Sequence, residues 1–105
     1  MFIAGQILSQ GYVSSSKSPI YISSGSVNTT YIKFFSVYNS GTTTENVVLY
    51  VSGSTSTPIA RVQLQPSESA HIVEAAALTL KANQIIEAKT DNLNSVEYLI
   101  SGGTE

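Results

Sequence analysis

Residues 31–51 read YIKFFSVYNSGTTTENVVLYV. Two apolar runs are separated by Asn39-Ser40-Gly41-Thr42-Thr43-Thr44, a pattern that predicts a β-hairpin. In a strand, alternate side chains point to opposite sides of the sheet. Ile32, Phe34 and Tyr38 then share one side, and Tyr31, Phe35 and Val37 the other. Leu49 and Val51 likewise oppose Val48 and Tyr50. Both faces of both strands are apolar, whereas a sheet in a small sandwich has to bury only one. One face belongs to a core, for which Phe35 and Val37 are the candidates. The other face needs a covering partner.

The rest of the chain carries the same β signature. "PIYIS" at 19–23 sets Ile20 and Ile22 against Tyr21, and "IARVQL" at 59–64 sets Ile59, Arg61 and Gln63 against Ala60, Val62 and Leu64. The second is a half-buried strand with its polar face in solvent. "SAHIV", "IIEAKT" and "SVEYLIS" read as short strands, the last with Val96, Tyr98 and Ile100 on one face. Serine-rich or Gly/Asn/Pro-containing breaks separate them. Helix formers adjoin only at 74–78; they would allow a short helical turn, but a loop leading into a strand is expected because no helical period is sustained. About eight short strands with turns every 8–12 residues predict an all-β protein. The expected fold is a single antiparallel β-sandwich, jelly-roll or Ig-like. Residues 1–15 form an N-terminal strand or extended arm, and residues 16–105 the sandwich.

Bulk properties narrow the function classes. The chain has 105 residues, one domain's worth, and no cysteine, which removes disulfide, thiol and Cys-zinc chemistry. Its net charge is −2 and only 11% of its residues are charged. Lys17, Lys33, Arg61, Lys81 and Lys89 are scattered and form no basic stripe, so nucleic-acid binding is not expected. No apolar run approaches the ~20 residues of a membrane helix, and the N-terminus lacks the cationic region of a signal peptide. Synthesis in a cytoplasm is the expectation. Serine and threonine make up about a quarter of the chain, well above ordinary usage.

The residue patterns that would support catalysis are weak. His71 is the lone histidine and lies between Ala70 and Ile72 in a strand, without a nucleophile elbow anywhere in the chain. Ser14-Ser15-Ser16-Lys17 matches an S-x-x-K spacing, but it sits in a serine-rich break before Pro19 rather than on a helix. Glu87 and Glu97, on strands expected to be neighbours, are the carboxylate pair that could approach each other as in a glycosidase. Their setting beside lysines favours solvated sheet charges. Asp91-Asn92-Leu93-Asn94 is the one calcium-like cluster, and turn chemistry explains it better. No Gly-rich phosphate loop occurs. The expectation is a non-enzyme with no cofactor, metal or small-molecule substrate.

The aromatic residues carry more information. Tyrosine offers a large contact area with a polar handle and suits wet interfaces. An exposed row of Phe34, Tyr38 and Tyr50 would form an apolar patch of the kind that marks an interaction site. Together with Phe2, Ile3 and Tyr12 of the N-terminal segment, these are the candidate interface residues.

Several motifs join into a larger resemblance covering roughly residues 27–102. Tyr38-Asn39 leads through a Thr/Ser tip into "VVLY" at 47–50. "LQPSES" at 64–69, "LTLKANQIIEA" at 78–88 and a final strand ending Ser101-Gly102 follow. In this order they resemble small β-sandwich virion proteins of tailed bacteriophages. Such proteins usually carry Gly-Asp where this chain has Asn83-Gln84, and Asn tolerates the left-handed backbone such a turn needs. The resemblance implies a capsid decoration (cement) protein. Its partners would be the major capsid protein and its own copies, as a dimer or trimer, and its location the capsid surface of a virion made in the bacterial host cytoplasm. A neck or tail accessory protein, or a receptor- or glycan-binding tail module, is the alternative.

Overall fold

The computed structural model describes residues 6–23, 25, 29–53, 55–72, 75 and 78–104. Among them run nine strands: β1 (Gln6–Tyr12), β2 (Ser18–Ile22), β3 (Thr29–Asn39), β4 (Glu45–Ser52), β5 (Ser56–Leu64), β6 (Ser69–His71), β7 (Thr79–Lys81), β8 (Ile85–Lys89) and β9 (Val96–Thr104). Sheet A has the order β1-β9-β3-β6, with β7 also paired to β3. Sheet B has the order β2-β8-β4-β5. All pairings are antiparallel. The expected all-β sandwich is therefore present, and its strand order is that of a jelly roll. β1 lies at an edge of sheet A, paired with β9 from Gln6 to Tyr12. The segment expected to be a loop before β7 falls largely outside the described residues, since 73, 74, 76 and 77 are not among them, and Ala75, which is, has helical conformation.

The hairpin expected over residues 31–51 does not form. β3 bonds to β9, β6 and β7 in sheet A, while β4 bonds to β5 and β8 in sheet B. Residues 40–44 cross from one sheet to the other. Asn39 is the device that sends the chain across. Its side-chain Nδ2 donates to the carbonyls of Thr43 (2.8 Å) and Leu64 (3.1 Å), and its Oδ1 accepts the Gly41 N–H (2.9 Å). Its backbone N–H donates to Glu68 O and its carbonyl accepts the Ser67 N–H. The end of β3 is thus tied to the 64–68 turn that follows β5, not to β4. Among the described strands, β4 and β5 are the one consecutive pair that bond to each other.

The two-faced strand has a second explanation, a β-bulge. Across β3 and β9, Ile32 faces Gly102 but Phe34 faces Ser101, so Lys33 is an extra residue. An extra residue reverses the in/out alternation beyond it. Thr30 and Ile32 are buried before the bulge, and Phe35, Val37 and Asn39 after it. Ile32 therefore joins the core with Phe35 and Val37 instead of sharing a face with Phe34 and Tyr38. Phe35 and Val37 are buried as the sequence led us to expect. The same device recurs. Ile20 is the extra residue in β2 and is buried, which leaves Ile22 exposed, not on the same side. Leu8 is the extra residue of β1 and packs against the core.

The core lies between the sheets and is built from Ile32, Phe35, Val37 and Ile100 of sheet A against Val47, Leu49, Ile86 and Ala88 of sheet B. Val13, Leu64, Ile72, Leu80 and Val96 close its margins. Tyr98 adds a polar link: its hydroxyl donates to the Ile20 carbonyl (3.2 Å) and meets Ser9 Oγ at 3.1 Å.

Asn83 behaves as its sequence position suggested. It has φ of 67°, in a turn closed by the Gln84 N–H donating to Lys81 O at 3.2 Å. The Lys81 N–H donates in turn to Gln84 Oε1 (2.7 Å). This turn carries the chain from β7 to β8, that is, between sheets. Asn83→Val is expected to cost about 1–2 kcal/mol, the penalty of forcing a Cβ-branched residue into the left-handed region. Asn83→Gly is expected to change stability by less than about 0.5 kcal/mol. Urea denaturation of the two variants checks the contrast.

Candidate interaction surface

The outer face of sheet A follows from the register. One row across its strands reads Ile7–Ser101–Phe34, the next Gln10–Leu99–Ser36–His71, and the third Tyr12–Glu97–Tyr38–Ser69. Ile7 (61%), Tyr12 (52%), Tyr38 (40%) and Phe34 (39%) are exposed there. Phe34 stacks on the ring of His71 with centroids 4.9 Å apart and planes at 20°. An open groove of about 610 Å³ runs over Gln10, Gly11, Ser36, Tyr38, Glu97 and Leu99. Three adjacent strands thus present apolar and aromatic side chains to solvent.

Tyr50 is not part of this surface. It stands on β4, opposite Glu87 of β8 and Pro58 of β5, on the outer face of sheet B. The expected row of Phe34, Tyr38 and Tyr50 is therefore split between the two sides of the sandwich, because β3 and β4 belong to different sheets. Lys17 Nζ lies 4.9 Å from the centroid of the Tyr50 ring and donates to Ser56 Oγ (3.0 Å). Phe2 and Ile3 lie outside the described residues. Tyr12 and Phe34 come together with Tyr38 on one face.

Sheet B presents a more polar outer face. Val48 sits there between Arg61 and Lys89 and is nevertheless buried, over a polar hollow that Ser15, Asn46 and Asp91 also line. Asp91 accepts the Asn46 backbone N–H (2.9 Å) and Nδ2 (3.0 Å).

The weak catalytic patterns are placed as follows. Lys17 is engaged with Ser56 and Tyr50, while Ser14 Oγ meets Ser16 Oγ and accepts the Ser16 N–H. Glu87 lies in sheet B and Glu97 in sheet A, so the expected neighbours are on different sheets. Ser56 Oγ donates to Glu87 Oε1. The Asp91–Asn94 cluster is a turn with Asn94 at φ 60°. Among the described residues, no group of three or more His, Asp or Glu is placed to hold a metal ion.

One carboxylate has a strong role that the sequence did not reveal. Glu45, at the start of β4, is fully buried. Its Oε1 accepts from Thr90 Oγ1 (3.0 Å) and the Asn92 N–H (2.8 Å); its Oε2 accepts from Thr43 Oγ1 (3.0 Å) and Asn92 Nδ2 (2.6 Å). Burial pushes its carboxyl group up. The hydrogen bonds from the Asn92 side chain and backbone, Thr90 and Thr43 together outweigh burial and hold it below the ordinary value. Glu45 fastens the 91–94 turn to the sheet crossing, so it is a structural residue rather than a reactive one. Glu97 and Leu99 of the sheet A face were also missed. The alternation in "SVEYLIS" marked their opposite face as the buried one and so left them visible as its complement.

No protein-family model matches the chain, and no curated protein matches it. Among solved structures, it is similar to a chain from work titled "Bacillus endospore appendages form a novel family of disulfide-linked pili". The two share 16% sequence identity with a TM-score of 0.49, over 97% of this chain and 88% of that one. That likeness is below the level at which a shared fold or function carries across.

Proposed function

We propose that this protein is a non-enzymatic virion structural protein, foremost a capsid decoration protein that binds the outer face of the major capsid shell through sheet A. The row-by-row surface of exposed Ile7, Tyr12, Phe34 and Tyr38 around half-buried Leu99 carries this reading. Apolar area on a flat, three-strand platform gains about 25 cal/mol for each Å² removed from water, offset in part by the cost of association. A protein docked at many equivalent positions adds that gain many times over. The motif order across residues 27–102 supports the phage assignment. Copy number separates the shell from the alternative sites: hundreds of copies per particle indicate the shell, about a dozen or fewer a neck or tail.

The test is co-sedimentation of the purified protein with shells assembled from major capsid protein alone. Saturable binding is expected, with the free protein a dimer or trimer by light scattering. A monomer with no affinity for shells overturns the reading. Phe34→Asp and Tyr38→Asp are expected to keep the fold, since both side chains are already more than a third exposed. They should weaken shell binding at least tenfold, the equivalent of about 1.4 kcal/mol. Circular dichroism and co-sedimentation of each variant check both halves. A glycan array with strong hits would favour the tail-module alternative instead.

A further inference from the structure

We propose that the groove on sheet A is a receptor for a cationic side chain, a lysine or arginine projecting from the docked partner. The inference rests on the reading of this face as a docking surface and names what that surface recognises.

Its basis is the row Tyr12–Glu97–Tyr38. These three residues are direct cross-strand neighbours on β1, β9 and β3. Cross-strand neighbours on one face hold their Cβ atoms about 5 Å apart. A carboxylate therefore stands between two tyrosines, both exposed. Among the described residues Glu97 has no hydrogen-bond or ionic partner, unlike Glu45, Glu68, Glu87 and Asp91, each of which accepts a hydrogen bond. Across the three rows of this face, Glu97 is also the one carboxylate, and no lysine or arginine shares those rows.

The chemistry of the surroundings favours a long cationic side chain. The next row places Leu99 and Ser36 beside the tyrosines. An aliphatic stem can lie along Leu99 while its charged head reaches Glu97. The faces of Tyr12 and Tyr38 can then add cation–π attraction to the ion pair. A purely apolar partner would leave Glu97 desolvated without a counter-charge, which is costly. An acidic partner would meet like charge. The isolated carboxylate thus acts as a specificity element in an otherwise apolar platform.

The probe is Nα-acetyl-lysine N-methylamide, titrated into the 15N-labelled full chain and followed by NMR, with Nα-acetyl-norleucine N-methylamide as the neutral control. Saturable shifts confined to residues 10–12, 36–38 and 97–99 are expected with the lysine derivative and not with the control. Glu97→Gln should weaken the lysine derivative by about fivefold or more, while Arg61→Gln on the opposite sheet should leave it unchanged. Equal responses to the two probes, unchanged affinity in Glu97→Gln, or no saturable shift overturn the proposal. Shell co-sedimentation separates this failure from that of the docking surface. If Phe34→Asp abolishes binding and Glu97→Gln does not weaken it, the surface stands and the cation site falls. If neither variant loses binding, the docking reading and the cation site fall together.

Discussion

Replacing Gly102 by alanine is expected to destabilise the protein by roughly 3 kcal/mol, among the larger effects of any single methyl group. Gly102 lies in β9 between Gln6 of β1 and Ile32 of β3. A Cβ at this position would collide with the carbonyl oxygen of Tyr31 and come within 3.2 Å of the Ile32 Cα. Both are backbone atoms of the neighbouring strand, so no side-chain rotation relieves the overlap. The close approach lies beside the Lys33 bulge, where Ile32 faces Gly102 and Phe34 faces Ser101. Glycine in a strand often marks such an approach. For a domain of this size the penalty corresponds to a fall of roughly 15 °C in Tm. Calorimetry of Gly102→Ala checks it, with Gly53→Ala as a control. Gly53 has 3.6 Å of clearance to the Gln84 side chain, and its substitution should have little effect. A Tm within a few degrees of the parent for Gly102→Ala would mean that β3 and β9 separate easily, contrary to a bulge locked by close contact.

Glu45→Gln is the second change with a large expected effect, about 2 kcal/mol at neutral pH. The carboxylate accepts four hydrogen bonds, two on each oxygen. In glutamine one oxygen becomes an NH2 group, which confronts two of those donors and leaves at least one without an acceptor. The pH dependence follows from the lowered pKa. A carboxylate held below its unfolded value of 4.5 binds its proton more readily in the unfolded chain. Its contribution to stability is fully present above 4.5 and is lost as pH falls from there through the lower folded value. The gap between parent and Glu45→Gln should therefore be widest at neutral pH and narrow on acidification. Thermal melts of both proteins from neutral to acidic pH test the sign. A constant gap across that range would show that the charge of Glu45 contributes nothing and that shape alone matters.

The local and the interaction surfaces differ in how far the sequence reached them. Tyr38 and Phe34 were readable as outward residues because Phe35 and Val37 were the better core candidates, and a bulge did not intervene between them. Tyr12 was readable only as part of an N-terminal segment, and its place beside Glu97 depends on β1 pairing with a strand about 85 residues later in the chain. Tyr50 was placed with Phe34 on the strength of an assumed hairpin. That assumption failed because a hairpin tip and a sheet-to-sheet crossing share the same local composition: glycine, serine, threonine and asparagine between apolar runs.

What the sequence determined by itself was the class of the protein, the position of most strands and the chemistry of its turns. β-branched and aromatic residues favour pleated, half-buried surfaces wherever they fall, and Asn83 accepts the left-handed backbone through its own side chain. These are local preferences, so they are legible locally. The tertiary structure alone decided which strands pair, which faces are buried and which charges stand unaccompanied. Backbone hydrogen bonds in a sheet come from distant segments, and a single extra residue such as Lys33 inverts every side chain beyond it. Asn39 read as a turn residue in the sequence, and no local pattern marked Glu45. Only the packed molecule gave them the partners that carry residues 40–44 from one sheet to the other.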